Sequence, residues 1–210
     1  MTIHAILWDI GGVLERTEDL TPRQKVAERL GIKIPDLIHL FFGHTDDFRV
    51  QLGEITPEEH WENVRRQLDL GESEMTAVRN DFFAGDRLDM DLIDFIRELK
   101  HEYCTAVVSN YMSGLRDRIM NEWDIGDAFH HLIISAEVGM MKPQPEIYQF
   151  ALETLGFAPE ETVFIDDFTE NVEGAQAVGI HGILFTSPEQ VRIELSKLLQ
   201  KKYRTNELCP

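Results

Sequence analysis

Several side chains that could bind a metal ion or neutralise an anion lie at the ends of short apolar runs, or in the loop before a helix, of this 210-residue chain. Asp9 follows the first run and is succeeded by Gly11 and Gly12. The other members of the set are Ser109, Asn110, Lys142, Asp166 and Asp167. Three aspartates brought together would repel one another unless a cation bridged them, and hard oxygen ligands select magnesium. The sequence therefore predicts a Mg²⁺ site.

Each of these residues has an ordinary structural explanation when it is taken alone. An aspartate followed by two glycines is usually a turn, Lys142 beside prolines is typical of a solvated loop, and adjacent aspartates before a helix often cap it. Their joint occurrence favours the chemical interpretation, because the carboxyl ends of parallel strands meet along one crevice of an open sheet.

The apolar runs and the segments between them predict an open, Rossmann-like α/β fold. The runs are rich in Val, Ile and Phe and lack strict alternation, which is typical of strands buried on both faces of a parallel sheet. They cover residues 3–8, 105–109, 132–135, 162–165 and 182–185. Segments with helical periodicity, such as residues 91–100, lie between them and predict right-handed crossovers.

Residues 15–85 interrupt this alternation with helix-like segments and no convincing strand. Thr21 and Thr56 each precede a proline, which predicts a capping residue before a proline at the first helical position. An insertion after the first strand would lie over the carboxyl ends of the sheet. We therefore predict a helical cap of residues 15–85 inserted into a core of residues 1–14 and 86–210.

The composition argues against several classes of partner. The chain has 20 Lys and Arg against 38 Asp and Glu, a formal charge of −18, and its longest basic cluster is Lys201, Lys202 and Arg204 in the C-terminal tail. Such a polyanion repels nucleic-acid backbones, so we expect no nucleic-acid partner. The N-terminal residues offer neither a signal sequence nor a membrane helix. We expect no membrane partner and a monomer or homodimer.

The two cysteines, Cys104 and Cys209, suit a reducing cytoplasm better than a disulfide scaffold. We therefore expect no disulfide scaffold and a cytoplasmic protein.

At the polar motifs the sequence resembles the haloacid dehalogenase-like (HAD) hydrolase superfamily, and the resemblance covers essentially the whole chain. Residues 9–14 resemble the first motif of that superfamily, Ser109 the second, Lys142 within residues 139–143 the third, and residues 164–167 the fourth. The helical insertion is similar to the cap of the subgroup that includes sugar-phosphate phosphatases and the N-terminal phosphatase domain of soluble epoxide hydrolases.

The resemblance implies a magnesium-dependent phosphatase acting on a small phosphorylated metabolite, such as a sugar phosphate. Asp9 would be the nucleophile and would form an aspartyl-phosphate that water hydrolyses. Ser109, the backbone amide of Asn110 and Lys142 would bind the phosphate, and Gly12 would permit its close approach. Ser109 and Lys142 would also act in catalysis.

The resemblance also implies which residues hold the metal. Mg²⁺ would be bound by Asp9, the backbone carbonyl of Gly11, Asp166 and Asp167.

One position departs from the family pattern. Phosphatases of this superfamily generally carry a second aspartate, the general acid and base, where this chain has Gly11. Its absence predicts a slow enzyme, a substrate with a good leaving group, or a replacement acid such as Glu15, which is otherwise a surface carboxylate at the cap hinge. Two alternatives stay open: a weakly active or non-catalytic protein that binds a phosphorylated metabolite, and a haloacid dehalogenase-type hydrolase.

Substrate choice is expected to depend on the cap. His44, Phe48, Arg49 and Trp61 could face the pocket, although aromatic residues at helical spacing more often pack inside such a domain.

Overall fold

The computed structural model describes residues 2–43, 48–199 and 209 of the chain. Its seven described strands are β1 (Ala5–Trp8), β2 (Glu15–Thr17), β3 (Asp86–Leu88), β4 (Cys104–Ser109), β5 (His131–Ile134), β6 (Thr162–Asp166) and β7 (His181–Leu184). The α-helices are α1 (Thr21–Leu30), α2 (Ile34–Phe41), α3 (Pro57–Gln67), α4 (Glu72–Phe83), α5 (Met90–Leu99), α6 (Leu115–Asp117), α7 (Ser135–Val138), α8 (Pro145–Leu155), α9 (Thr169–Ala177) and α10 (Pro188–Leu198). A π-helical turn, Arg118–Glu122, continues α6.

Five of the strands form one parallel sheet in the order β5-β4-β1-β6-β7. The first strand of the chain is therefore the central one, and Trp8 at its end is level with Val107 on β4 and Ile165 on β6. All five predicted strands and the Rossmann-like α/β class are confirmed. The residues that follow β1, β4 and β6 consequently lie at one edge of the sheet.

Two apolar layers, one on each face of the sheet, explain why the strands lack polar alternation. Ile6 and Trp8 on β1 pack in the layer that contains apolar residues of α5 and α10, whereas Ala5 and Leu7 pack in the layer that contains those of α8 and α9. Successive side chains of a strand point to opposite faces, so both sets must be apolar when helices cover both faces.

The four helices α1–α4 have an apolar cluster of their own. Phe41 is fully buried at its centre, with ring centroids 4.3 Å from Phe82 and 5.3 Å from Trp61. The prediction that Thr56 caps the N-terminus of α3 is confirmed, since its side chain accepts a hydrogen bond from the Glu59 amide in a capping box.

The prediction that Thr21 caps the N-terminus of a helix is wrong. Helix α1 begins at Thr21 itself, and the Thr21 amide donates to Asp19 Oδ1 at 2.9 Å, so the carboxylate two residues earlier satisfies the amide instead.

The expectation of no strand within residues 15–85 is also wrong. Strand β2 pairs antiparallel with β3, with Glu15 opposite Leu88 and Thr17 opposite Asp86. Three half-buried residues with a polar sequence carry no periodic signal, and they form a strand only because residues about 70 positions later lie beside them. The two connections between helices α1–α4 and the parallel sheet therefore run side by side.

The structure corrects the prediction for the cysteines, because Cys104 at the start of β4 is joined to Cys209 by a disulfide. No helix within the described residues is long and apolar enough to cross a membrane. Helix α10 ends at Leu198, and the basic cluster of Lys201, Lys202 and Arg204 lies outside the described residues.

A buried ion pair fixes α1 to β3. The guanidinium of Arg23 donates to both oxygens of Asp86, at 2.9 and 2.8 Å, and to the carbonyl of Phe82 at 3.3 Å. On the same helix Arg29 contacts Asp81 at 3.1 Å, but both of these side chains are about half exposed.

We predict that Arg23→Met lowers the free energy of unfolding by about 3–5 kcal/mol, because it leaves Asp86 buried without its cation. The matched control, Arg29→Met, should cost about 1 kcal/mol or less, since exposed pairs are screened by water. Urea denaturation of both variants measures the difference, and equal losses would contradict the assigned role of the Arg23 pair.

Candidate active site

The loop after β1 brings a buried carboxylate to the sheet edge. Asp9 is 6 % exposed, and its amide continues the parallel ladder by donating to the carbonyl of Ile165 at 3.0 Å. Gly12 follows with a φ of +79°, a conformation that side chains rarely adopt. A Cβ at Gly12 would lie 2.0 Å from Asp167 Oδ2, so this loop and the carboxylate after β6 are in close contact only because residue 12 is glycine.

Gly11 has a different environment. It is exposed, its φ is outside the left-handed range, and a Cβ built on it would meet nothing within 4 Å. The backbone therefore does not require glycine at this position.

Lys142 provides the positive charge of the site. Its side chain is 1 % exposed, and Nζ lies 2.8 Å from Asp9 Oδ1 and 2.6 Å from Asp166 Oδ2. Burial by itself would lower the pKa of Lys142, but attraction to Asp9 and Asp166 raises it above its ordinary value. The ammonium is therefore charged and fixed between the ends of β1 and β6.

Asn110 positions Lys142 through its side chain. Asn110 Nδ2 donates to the Lys142 carbonyl and Asn110 Oδ1 accepts from the Lys142 amide, both at 2.8 Å, next to the cis Lys142–Pro143 peptide. This reciprocal pair joins the end of β4 to the loop before α8. The sequence singled out Asn110 for its backbone amide, and it gave no indication of this side-chain role.

Ser109 is the last residue of β4 and is 1 % exposed. Burial is the largest influence on Asp9 and raises its pKa to about 6, while Lys142 and, to a smaller extent, hydrogen bonding from Ser109 act in the opposite direction. The predicted residues Asp9, Ser109, Lys142 and Asp166 thus belong to one electrostatic cluster.

Asp166 is saturated with donors. Besides Lys142, the Phe168 amide donates to Oδ1 at 2.8 Å, and Asn171 Nδ2 lies 3.1 Å from both carboxylate oxygens. Tyr148 donates its hydroxyl to the Asn171 carbonyl at 2.7 Å and so supports this arrangement. The sequence analysis missed Asn171. Its position in the first turn of the helix that follows two adjacent aspartates was the available signal.

Asp167 completes the acidic group. Its Oδ1 is buried and has no hydrogen-bond partner among the described residues, and oxygens of Asp9, Asp166 and Asp167 lie within 4.8 Å of one another. Burial, followed by repulsion from Asp9 and Asp166, raises the pKa of Asp167 to about 7. Three carboxylates face one ammonium here, so a divalent cation would balance the charge and satisfy the orphaned oxygen. This donor set fits Mg²⁺.

Glu15 is not the surface carboxylate that the sequence suggested. It is on β2 with its side chain 17 % exposed, and its Oε1 lies 3.4 Å from Arg118 Nη2. Arg118 in turn donates to the Tyr111 hydroxyl. Burial raises the pKa of Glu15 although Arg118 lowers it. Its carboxylate is therefore engaged in a network that joins β2 to the segment after β4.

The candidate cap residues have separate environments. Trp61 packs against Phe41 and Phe83 in the apolar cluster of α1–α4, as the packing interpretation expects. Arg49 is half exposed and contacts Glu54 at 3.4 Å. Phe48 is half-buried with a φ of +61°. His44 lies outside the described residues.

A comparison with protein families places this site in a known context. A family model of haloacid dehalogenase-like hydrolases matches residues 3–179. The chain belongs to this family of hydrolases. The match covers the four polar motifs that carry the resemblance in the sequence.

Phosphatases are among the relatives of this HAD-like hydrolase. A sesquiterpene phosphatase of Aspergillus oryzae is 29 % identical over 94 % of this chain and 97 % of its own length. A D-ribitol-5-phosphate phosphatase of Bacteroides thetaiotaomicron is 26 % identical over 73 % of this chain and 72 % of its own. Bifunctional epoxide hydrolase 2 of Sus scrofa is 27 % identical over 94 % of the chain, which spans only 39 % of that longer protein.

A solved structure has the same fold. A HAD family enzyme of Bacteroides thetaiotaomicron superposes with a TM-score of 0.73 and 25 % identity over 88 % of this chain and 94 % of that one. A variant of that enzyme, solved in complex with magnesium and inorganic phosphate, superposes with a TM-score of 0.69 and 26 % identity over 87 % and 93 % of the two chains.

The two adjacent glycines of the HAD-like hydrolase should respond differently to a methyl group. We predict that Gly12→Ala lowers the free energy of unfolding by about 1–2 kcal/mol through its left-handed backbone alone, and weakens Mg²⁺ binding because Cβ displaces the Asp167 carboxylate. Gly11→Ala, the control, should stay within about 0.5 kcal/mol. Urea denaturation and calorimetric Mg²⁺ titration measure both effects, and indistinguishable variants would refute the contact between Gly12 and Asp167.

Proposed function

We propose that the protein is a magnesium-dependent phosphatase that hydrolyses a small phosphorylated metabolite through an aspartyl-phosphate on Asp9. The observation that carries this proposal is the position of Lys142 Nζ, held at 2.8 and 2.6 Å from Asp9 and Asp166 beside the orphaned Oδ1 of Asp167. One fixed cation and a cation-binding carboxylate next to a second, nucleophilic carboxylate are what attack on a phosphate monoester requires.

Asp9 supplies the nucleophilic oxygen. That oxygen forms a bond to phosphorus while the bond from phosphorus to the ester oxygen breaks, and the electron pair of the broken bond leaves with the ester oxygen. Water then attacks the aspartyl-phosphate, which releases inorganic phosphate and restores the carboxylate. Lys142 neutralises charge on Asp9 and on the transferred group, and Ser109 with the Asn110 amide would hold phosphate oxygens.

The acidic residues divide into two roles. Asp9, Asp167 and the Gly11 carbonyl would bind Mg²⁺, which when present would screen the repulsion between carboxylate and phosphate. Asp166 stands in the same acidic group, but its oxygens already accept from Lys142, Phe168 and Asn171. We assign Asp166 chiefly to fixing the ammonium of Lys142, with a smaller share in metal binding.

The relatives and the residues near Asp9 support a substrate class. The family resemblance implies a sugar phosphate, and the phosphatase relatives include one for ribitol 5-phosphate and one for a sesquiterpene. Helices α1–α4, attached through β2 and β3 beside the sheet edge, would cover the substrate as a cap of residues 15–85. The open space at Gly11, where an acid is missing, favours substrates with a good leaving group, or a weakly active protein that retains phosphate binding.

We predict that Asp9→Asn abolishes magnesium-dependent phosphate release, because an amide oxygen is too weak a nucleophile to form the acyl phosphate. Release should be measured from p-nitrophenyl phosphate and a panel of hexose phosphates, polyol phosphates, prenyl phosphates and acyl phosphates, with and without a chelator. Residual release by the variant equal to that of the wild type would overturn the assignment of Asp9. No release by the wild type across the panel would favour the binding protein.

We predict that Gly11→Asp raises turnover by about 10²- to 10⁴-fold on alkyl phosphates, which need a proton on the leaving oxygen. The gain should be small on p-nitrophenyl phosphate, whose leaving group needs no acid. Gly11→Asn is the matched control, since its side chain has the same size but no acidic proton. If the aspartate and asparagine variants had equal turnover on alkyl phosphates, proton donation would not be what residue 11 lacks.

A further inference from the structure

A second cluster of ligand-type side chains lies away from the candidate active site. Cys104, His131 and Cys209 each offer a donor atom, and these atoms lie within 4.8 Å of one another. Cys104 is the first residue of β4 and Ser109 the last, so the cluster is separated from the phosphate site by the length of that strand, about 16 Å. It therefore lies at the opposite end of the parallel strands, where β4 begins.

Two of the three residues lie on strands, and all three are at least partly buried. Cys104 is fully buried in the apolar layer between the sheet and α8 and α9, and Cys209 packs against the same layer. His131 begins the neighbouring edge strand β5, and its Nε2 lies 3.3 Å from Cys209 Sγ. The disulfide thus brings the C-terminal Cys209 to an imidazole, an arrangement that a disulfide alone does not need.

The chemistry of the donors selects the ligand. Thiolate sulfur and neutral imidazole nitrogen are soft or borderline ligands that prefer zinc over magnesium or calcium. Two ligands of one tetrahedral zinc ion are about 3–4 Å apart, given bonds of about 2.0–2.3 Å. His131 Nε2 already lies at such a distance, 3.3 Å, from Cys209 Sγ. The two sulfurs are bonded to each other in the disulfide and would have to move apart to this distance after reduction.

We propose that Cys104, Cys209 and His131 form a zinc site whenever the Cys104–Cys209 disulfide is reduced. The site is separate from the proposed phosphatase chemistry and does not depend on it. Water would complete the tetrahedron.

Reduction of the disulfide must precede zinc binding. A dithiol reduces the disulfide, becoming a disulfide itself and leaving two cysteine thiols. Zn²⁺ then binds two thiolates and the neutral imidazole, and two protons are released to solvent. In the oxidised protein the sulfurs are bonded to each other and offer no thiolate, so disulfide and zinc exclude each other.

The test uses Co²⁺ as a spectroscopic substitute for Zn²⁺ in the full-length protein. The chain is reduced with a phosphine, which leaves no competing dithiol, and titrated in excess Mg²⁺ so that the carboxylates at the other end of β4 are occupied. Thiolate-to-cobalt charge-transfer absorption reports only sulfur ligation. We expect one equivalent to bind the reduced protein, to be displaced by Zn²⁺, and to give no such band with the oxidised protein.

Two variants and one control assign the ligands. Cys209→Ser should lose most of the charge-transfer absorption, and His131→Gln should bind Co²⁺ at least about tenfold more weakly while it keeps the thiolate band. His181→Gln is the matched control, since His181 begins β7 at the other edge of the sheet. Its affinity should equal that of the wild type.

The proposal is overturned if the reduced wild type shows no thiolate band, or if His131→Gln and His181→Gln bind Co²⁺ equally well. Far-ultraviolet circular dichroism of the reduced apoprotein shows whether the chain stays folded without the disulfide. A folded apoprotein without the band would mean that the two cysteines form a disulfide and nothing more.

Discussion

The rest of the site depends on one buried interaction, the ammonium of Lys142 between the carboxylates of Asp9 and Asp166. A buried charge is tolerated only when it is paired and hydrogen-bonded, and here the pairing involves the ends of two strands and a loop that follows a third. Asn110 holds the lysine backbone and Asn171 holds Asp166, so two of the three charged residues are each held by an asparagine side chain. The sheet order, with β1 between β4 and β6, is what brings these partners together.

The sequence predicted the features that depend on the hydrophobic pattern and on which residues follow each strand. The five buried strands were visible as apolar runs, and parallel pairing alone implied that Asp9, Ser109 and Asp166 would meet. Contacts that arise only from tertiary structure could not be predicted. Strand β2 is too short and too polar to show a hydrophobic periodicity, and nothing in the sequence distinguishes the Asn110 side chain from other loop side chains. The pairing of Cys104 with Cys209 joins residues 105 positions apart, and spacing gives no information about it.

The adjacent glycines illustrate how one motif can contain two unrelated constraints. At residue 12 the backbone conformation and the Asp167 carboxylate both exclude a side chain, whereas at residue 11 neither does. The identity of residue 11 is therefore a matter of chemistry, while that of residue 12 is a matter of geometry. A sequence pattern alone represents both as the same letter.

The central position of β1 also has a consequence for how the chain folds. Strand β1 has apolar side chains on both faces and is synthesised well before its partners β4 and β6, which begin about 100 and 160 residues later. Folding must therefore close long loops before the middle of the sheet is covered. Closing long loops is slow, and the apolar strand β1 stays exposed to aggregation in the meantime. A ribosome-bound chain that stops before β6 lacks Asp166 and leaves the β6 side of β1 unpaired, so it would need protection from aggregation until β6 is made.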